Sequence, residues 1–210
     1  MAHRITSKPA FFILALPFLL PANALAQEVN PAGIETIVML RHGEKPEAGL
    51  GQISCQGLNR ALALPATIEK KFGKPDAIYA PDPSDENKDD GKYYNYVRPL
   101  ATIEPTAVKF GLPVDTSFGL TDIQGLREAI DQPENRSALI VVAWEHKQIQ
   151  QLARDFMSAH GADPTTVPSW HGKDFDSLYV IRIDRSKPSA TVTFERMSEG
   201  LDGQAMTCPS

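Results

Sequence analysis

Cysteine is scarce in this chain of 210 residues: Cys55 and Cys208 are the only two. A Cys/His zinc site or a Cys-x-x-Cys redox pair needs much closer spacing, so both are excluded. Long apolar runs are missing after residue 26, which leaves no later candidate for a membrane span. Positive charge is in deficit, with 21 Lys and Arg against 26 Asp and Glu. An acidic chain argues against nucleic acid as a partner, because phosphate backbones are held by clustered Lys and Arg. Any anion bound here must therefore sit in a local positive pocket. No internal repeat and no low-complexity linker divides the chain.

The one apolar run comes first. Arg4 and Lys8 flank residues 10–20, and Ala24 and Ala26 follow in the small-x-small pattern cut by signal peptidase. The run is about half of the roughly 20 apolar residues a spanning helix needs, and Pro17 interrupts it. The expectation is a cleaved signal peptide over residues 1–26, a single domain over residues 27–210, and a periplasmic or secreted location with no membrane span after cleavage. In an oxidising compartment Cys55 and Cys208 can bridge and tie down the C-terminal tail, the alternative being two free thiols.

Periodicity predicts an alternation of strands and helices. Residues 35–42 form a compact apolar strand of the kind buried on both faces of a parallel sheet. A helix follows from Gly57 to Gly73, with Pro65 inside it and Lys70, Lys71 and Lys74 near its negative end. Residues 75–80 read as a short strand, and residues 81–97, acidic and carrying Tyr93, Tyr94 and Tyr96, as a solvated loop. A helix restarts at Arg98. Residues 112–118 read as a strand, residues 121–131 as a helix capped by Thr121 or Asp122, and residues 137–144 as the strongest strand. An amphipathic helix runs from His146 to Gly161, and residues 177–184 and 190–197 alternate as two antiparallel strands. That order predicts an α/β fold, a three-layer sandwich with a mostly parallel central sheet flanked by helices.

In such a sheet ligands bind beyond the carboxyl ends of the strands. The first strand opens into Arg41, His42, Gly43, Glu44 and Lys45, and the strand ending at Trp144 opens into Glu145 and His146. Arg98 starts a helix at the same rim. A neutral imidazole is a competent nucleophile toward phosphorus, and guanidinium groups match phosphoryl oxygens in a fork. A second histidine adds a donor, and a carboxyl can protonate the leaving oxygen. Taken singly, each residue has an ordinary reading as a surface charge, a helix start or a strand-end histidine. Together they predict an anion or phosphate site.

The segments "LRHGE" at the first strand end, "GLNRA" from Gly57 to Ala61 and "RPLATIEPTA" from Arg98, followed by a later strand leading to His146, resemble the histidine phosphatase (phosphoglycerate mutase-like) superfamily. The resemblance spans most of residues 27–210 and points to a small exported member. It implies that His42 is the phosphorylated nucleophile, that Arg41, Arg98 and His146 complete the phosphate pocket, and that Lys45 contacts substrate phosphate. Arg60 is expected to anchor the first helix. Lys147 stands where one branch of the superfamily has Asp, and residues 113–122 offer only Asp115 and Asp122 where another takes its acid. Glu145, Asp122 and Glu44 thus remain as candidate proton donors.

The resemblance implies a phosphatase acting on a small-molecule or envelope phosphomonoester and releasing phosphate, with no metal or cofactor called for. The alternative is a catalytically weak or inactive phosphate-binding or interaction protein of the same fold. In residues 170–176, Trp170, His171, Asp174 and Asp176 are expected to form a structural loop.

Overall fold

The computed structural model describes Met1, residues 33–186 and residues 189–209. Apart from Met1, the signal peptide expected over residues 1–26 lies outside the described residues. The elements are β1 (Ile34–Arg41), α1 (Cys55–Phe72), β2 (Ala77–Tyr79), β3 (Glu86–Asp89), β4 (Lys92–Asn95), α2 (Arg98–Phe110), α3 (Ile123–Ile130), β5 (Leu139–Trp144), α4 (His146–Ala159), β6 (Ser177–Asp184) and β7 (Thr191–Ser198). The main sheet has the order β2-β5-β1-β6-β7. β1, β2 and β5 are parallel, β6 runs against β1, and β7 runs against β6. Four of the five strands therefore share one direction.

Alternation along the central strands builds two cores. Ile37 and Met39 of β1 join Ile140, Val142 and Trp144 of β5 on the face covered by α3 and α4. Val38 and Leu40, with Leu139, Val141 and Ala143, point the other way, against Leu64 and Ile68 of α1 and Ile103 of α2. Period-two side-chain direction turns a continuous apolar strand into the middle of three layers. Among the described residues no helix is long and apolar enough to cross a membrane.

Helix ends follow their local chemistry. Ser54 caps α1 by accepting from the Gly57 N–H at 3.2 Å, and Pro99 in the first turn of α2 needs no hydrogen-bond donor there. Gly111 closes α2 in the left-handed region at φ 66°. Two sequence expectations change. Residues 112–118 make a single bridge, Asp115 with Tyr79, rather than a strand. Residues 81–97 are not plain loop: β3 and β4 form a hairpin around Asp90 and Gly91, both at positive φ, the backbone that a two-residue turn of this twist requires.

Arg60 of α1, as expected, anchors its helix, and it does so with no exposed surface. Its guanidinium pairs with Glu44 at 2.7 Å, Asp176 at 3.3 Å, Glu199 at 2.6 Å and Asp202 at 3.1 Å. The tail after β7 is held again by Asn59, whose amide donates to the Ala205 and Thr207 carbonyls, and by the Cys55–Cys208 disulfide. The bridge closes a separation of 153 residues onto the start of α1.

Removing one partner from a buried charge network leaves the others uncompensated, so Arg60→Ala should lower unfolding free energy by about 3–5 kcal/mol in denaturant titrations. Burial pushes the Glu199 carboxyl up to about 8, against the pull of Arg60. The fold thus favours the protonated form, a contribution full below the ordinary carboxyl value and lost as pH rises through about 8. Glu199→Gln should flatten the decline of thermal stability between about pH 5 and 8; an unchanged slope would mean that Glu199 stays ionised in the folded protein.

Candidate active site

Register decides which residues meet. β1 and β5 pair from Thr36 opposite Leu139 to Arg41 opposite Trp144, so His42 and the Glu145–His146 pair leave the sheet at one edge. The His42 N–H continues the ladder by donating to the Trp144 carbonyl at 3.2 Å. Arg98 reaches the same place from α2 through Thr102, whose hydroxyl accepts from the Gly43 N–H at 2.9 Å and donates to the Arg98 carbonyl at 2.7 Å. Gly43 is needed there for space: a Cβ would stand 2.9 Å from the Gly57 Cα.

The imidazole of His42 is 2% exposed, and its Nδ1 lies 2.8 Å from the Gly43 carbonyl oxygen. A carbonyl only accepts, so Nδ1 carries the proton and Nε2 presents a lone pair. Burial pushes the His42 pKa down to about 3; the Gly43 bond and Glu145 oppose this, while Arg41 and Arg98 reinforce it. The ring is held neutral, in one tautomer, beside two cations.

Those cations are fixed from behind. Arg41 Nη1 donates to the Gly172 carbonyl at 2.8 Å and the Asp174 carbonyl at 3.0 Å, and its guanidinium carbon lies 3.8 Å over the Phe175 ring. Arg98 stacks 5.0 Å over the ring of the buried Tyr96 and donates from Nη2 to the Asp89 carboxylate. Burial, with Arg41 beside it, lowers the Arg98 pKa to about 10, so it remains charged at neutral pH. The Nε atoms of both arginines are buried without a hydrogen-bond partner among the described residues. Donors left so are costly unless an anion takes them.

Glu145 is the N-cap of α4. Its Oε2 accepts from the N–H groups of Lys147 at 2.7 Å and Gln148 at 3.1 Å, and its Oε1 lies 2.6 Å from His146 Nδ1. Burial alone would raise this carboxyl, but the His146 contact and the backbone N–H bonds hold it below its ordinary value. It is an ionised anchor that turns His146, and His146 Nε2 lies against Gly172. Segment 172–175 thereby backs both Arg41 and His146.

The remaining residues singled out in the sequence are placed as follows. Glu44 grips Arg60 with both oxygens. Asp122 is exposed and caps α3 through the Gly125 N–H at 3.0 Å. Lys45 donates to Asp89 Oδ1 at 2.7 Å rather than standing free; burial, Arg98 and Arg41 lower its pKa. Trp170 packs on Tyr179 with ring centroids 4.3 Å apart, and Asp176 belongs to the Arg60 network.

Sequence reasoning passed over Phe175 and Asp89, and named Tyr96 only as one of three tyrosines in an acidic segment. The His42 ring meets Tyr96 and Phe175 edge-on at 6.0 and 6.1 Å. The pattern of Tyr93, Tyr94 and Tyr96 marked that segment, but nothing in it separated the buried Tyr96 from the exposed Tyr93. Among the described residues no group of three or more His, Cys, Asp or Glu is arranged to hold a metal ion.

No family model matches the chain, and no curated protein does. Solved structures do match. Mycobacterial glucosyl-3-phosphoglycerate phosphatase is 16% identical with a TM-score of 0.53, over 78% of this chain and 98% of its own. Phosphoglycerate mutase from Plasmodium falciparum is 13% identical with a TM-score of 0.51, over 79% of this chain and 91% of its own. A protein assigned as the phosphohistidine phosphatase SixA of Nakamurella multipartitia is 13% identical with a TM-score of 0.51, over 79% and 97%. The chain thus shares the phosphoglycerate mutase-like fold of these structures, the fold its sequence resemblance implies.

Nitrogen-detected NMR of labelled protein should show His42 as a neutral imidazole protonated on Nδ1 at every pH from 8 down to about 4.5, since burial holds its pKa near 3. A titration near 6.5, the ordinary histidine value, would contradict the buried geometry.

Proposed function

We propose that this protein is an exported, metal-independent phosphomonoester hydrolase that works through a phosphohistidine on His42. One observation carries the reading: a buried imidazole whose Nδ1 lies 2.8 Å from the Gly43 carbonyl oxygen, which puts the proton there and the lone pair on Nε2, with the charges of the buried Arg41 and Arg98 acting on the ring. In the first step Nε2 attacks phosphorus and the ester oxygen departs; in the second, water attacks phosphorus and the imidazole departs. Arg41, Arg98 and His146 hold the equatorial oxygens, with the Nε donors of the two arginines meeting charge that grows in the transition state. Lys45 at the rim adds positive charge for the incoming substrate. The shared fold with phosphatases supports this reading, as does the sequence resemblance at Arg41, His42, Arg98 and His146.

The expected substrate is a phosphomonoester on a small metabolite or an envelope component. The N-terminal pattern over residues 1–26 supports export to the periplasm or beyond, and the Cys55–Cys208 bridge suits an oxidising compartment.

Protein expressed from the full chain should hydrolyse an aryl phosphate, and His42→Ala should abolish turnover. Rapid quenching should trap an acid-labile, alkali-stable phosphoryl group on His42. Arg98→Ala should cost about 10²–10³-fold in kcat/KM, the size of effect seen when one transition-state donor is lost. If wild type and His42→Ala are equally inactive while both bind inorganic phosphate, the protein is a phosphate binder of the same fold.

A further inference from the structure

Three carboxyls were open as proton donors, and the structure engages all three elsewhere. Glu44 spends both oxygens on Arg60, and Glu145 caps α4 while holding His146. Asp122 is exposed, and its side chain caps its own helix. A carboxyl absent from that set stands at the pocket. Asp89, 7% exposed, closes β3 at the turn of the hairpin. One of its oxygens accepts from Arg98 Nη2 and the other from Lys45 Nζ at 2.7 Å.

The place is built for it. Gly49, at φ 72°, passes so close that a Cβ there would collide with the Asp89 carboxyl carbon. Gly51 makes a similar approach to the Asn95 carbonyl on the partner strand of the hairpin. The loop after His42 and the hairpin before Arg98 thus enclose one carboxyl between the two cations assigned to the phosphoryl group and its substrate.

The geometry points to Asp89 as the proton donor to the leaving group and the base for water in this reaction; the assignment rests on the phosphatase reading above. In the free protein the carboxyl is shared between Arg98 and Lys45. A phosphoryl dianion docking on Arg98 draws both cations toward itself and sets negative charge beside Asp89, which favours the protonated acid. The first proton comes from solvent or from a substrate bound as its monoanion. As the N–P bond to His42 Nε2 forms and the P–O ester bond breaks, Asp89 passes its proton to the ester oxygen, and the alcohol leaves. Water then bonds to phosphorus, the N–P bond breaks with its electron pair returning to Nε2, and the water proton goes to Asp89. The sum is ester plus water giving alcohol plus hydrogen phosphate, with Asp89 protonated again.

Leaving-group dependence tests this. An activated aryl ester needs little protonation, whereas an alkyl ester needs it strongly. Asp89→Asn keeps the size of the side chain and an acceptor for Arg98 but carries no transferable acid proton. It should lower kcat/KM for an alkyl phosphate by about 10²–10⁴-fold, and for an aryl phosphate by no more than about tenfold. The burst of phosphohistidine from the aryl ester should persist, followed by slower release of phosphate. Equal losses on both esters would reduce Asp89 to a positioning residue for Arg98 and overturn the assignment, as would no loss on either. Should Asp89→Asn fail to fold by circular dichroism, Asp89→Glu keeps the charge but moves the carboxyl, and its alkyl-to-aryl rate ratio must fall in the same sense. If the wild type turns over neither ester, the phosphatase reading itself fails. If His42→Ala abolishes activity while the alkyl-to-aryl ratio ignores Asp89, only the present assignment fails.

Discussion

A guanidinium with no route to water holds this protein together where its function is assembled. Arg60 sits on α1, yet the carboxylates around it come from the loop after β1, from the segment entering β6 and from the tail beyond β7. Burying a charge costs several kcal/mol before any pairing. The arrangement therefore persists only when all those segments are in place at once. Glu44, two residues past His42, is one of the four partners, and Asp176 directly follows Phe175, whose ring lies under Arg41. The geometry of the pocket thereby inherits the rigidity of a network that does not touch it.

Within the pocket, charge is arranged so that a neutral group lies beside positive ones. His42 is buried and near Arg41 and Arg98, and each of these favours the unprotonated ring. The proposed nucleophile and its neighbouring cations thus reinforce one another: under the phosphatase reading, the arginines that would attract a phosphoryl group also keep the imidazole neutral. His146 is arranged differently, with Glu145 Oε1 2.6 Å from its Nδ1. Two histidines at one sheet edge thus take different partners, a backbone carbonyl for His42 and a carboxylate for His146.

Much of this was legible in residue order. The apolar runs of β1 and β5 and the histidines just beyond each placed both at one rim, because parallel neighbouring strands end on the same side of a sheet. The helix at Arg98 and the antiparallel pair at the C-terminus also followed from pattern. Residues 81–97 were harder. Their polarity suggested a solvated loop, and only the pairing of Glu86 to Asp89 with Lys92 to Asn95 revealed a hairpin. An acidic, hydrophilic hairpin of four-residue strands has too little apolar alternation to separate it from loop.

By itself the sequence determined the layered α/β architecture and the meeting of His42, Arg41, Arg98 and His146 at one rim, because these depend on periodicity and on residues adjacent to strand ends. Tertiary structure alone decided what every carboxyl does. A carboxylate takes its role from whichever donor lies within about 3 Å, and such donors come from elements far apart in the chain. Glu44 thus found Arg60, Glu145 found the start of its own helix and His146, and Asp89 found Arg98 and Lys45.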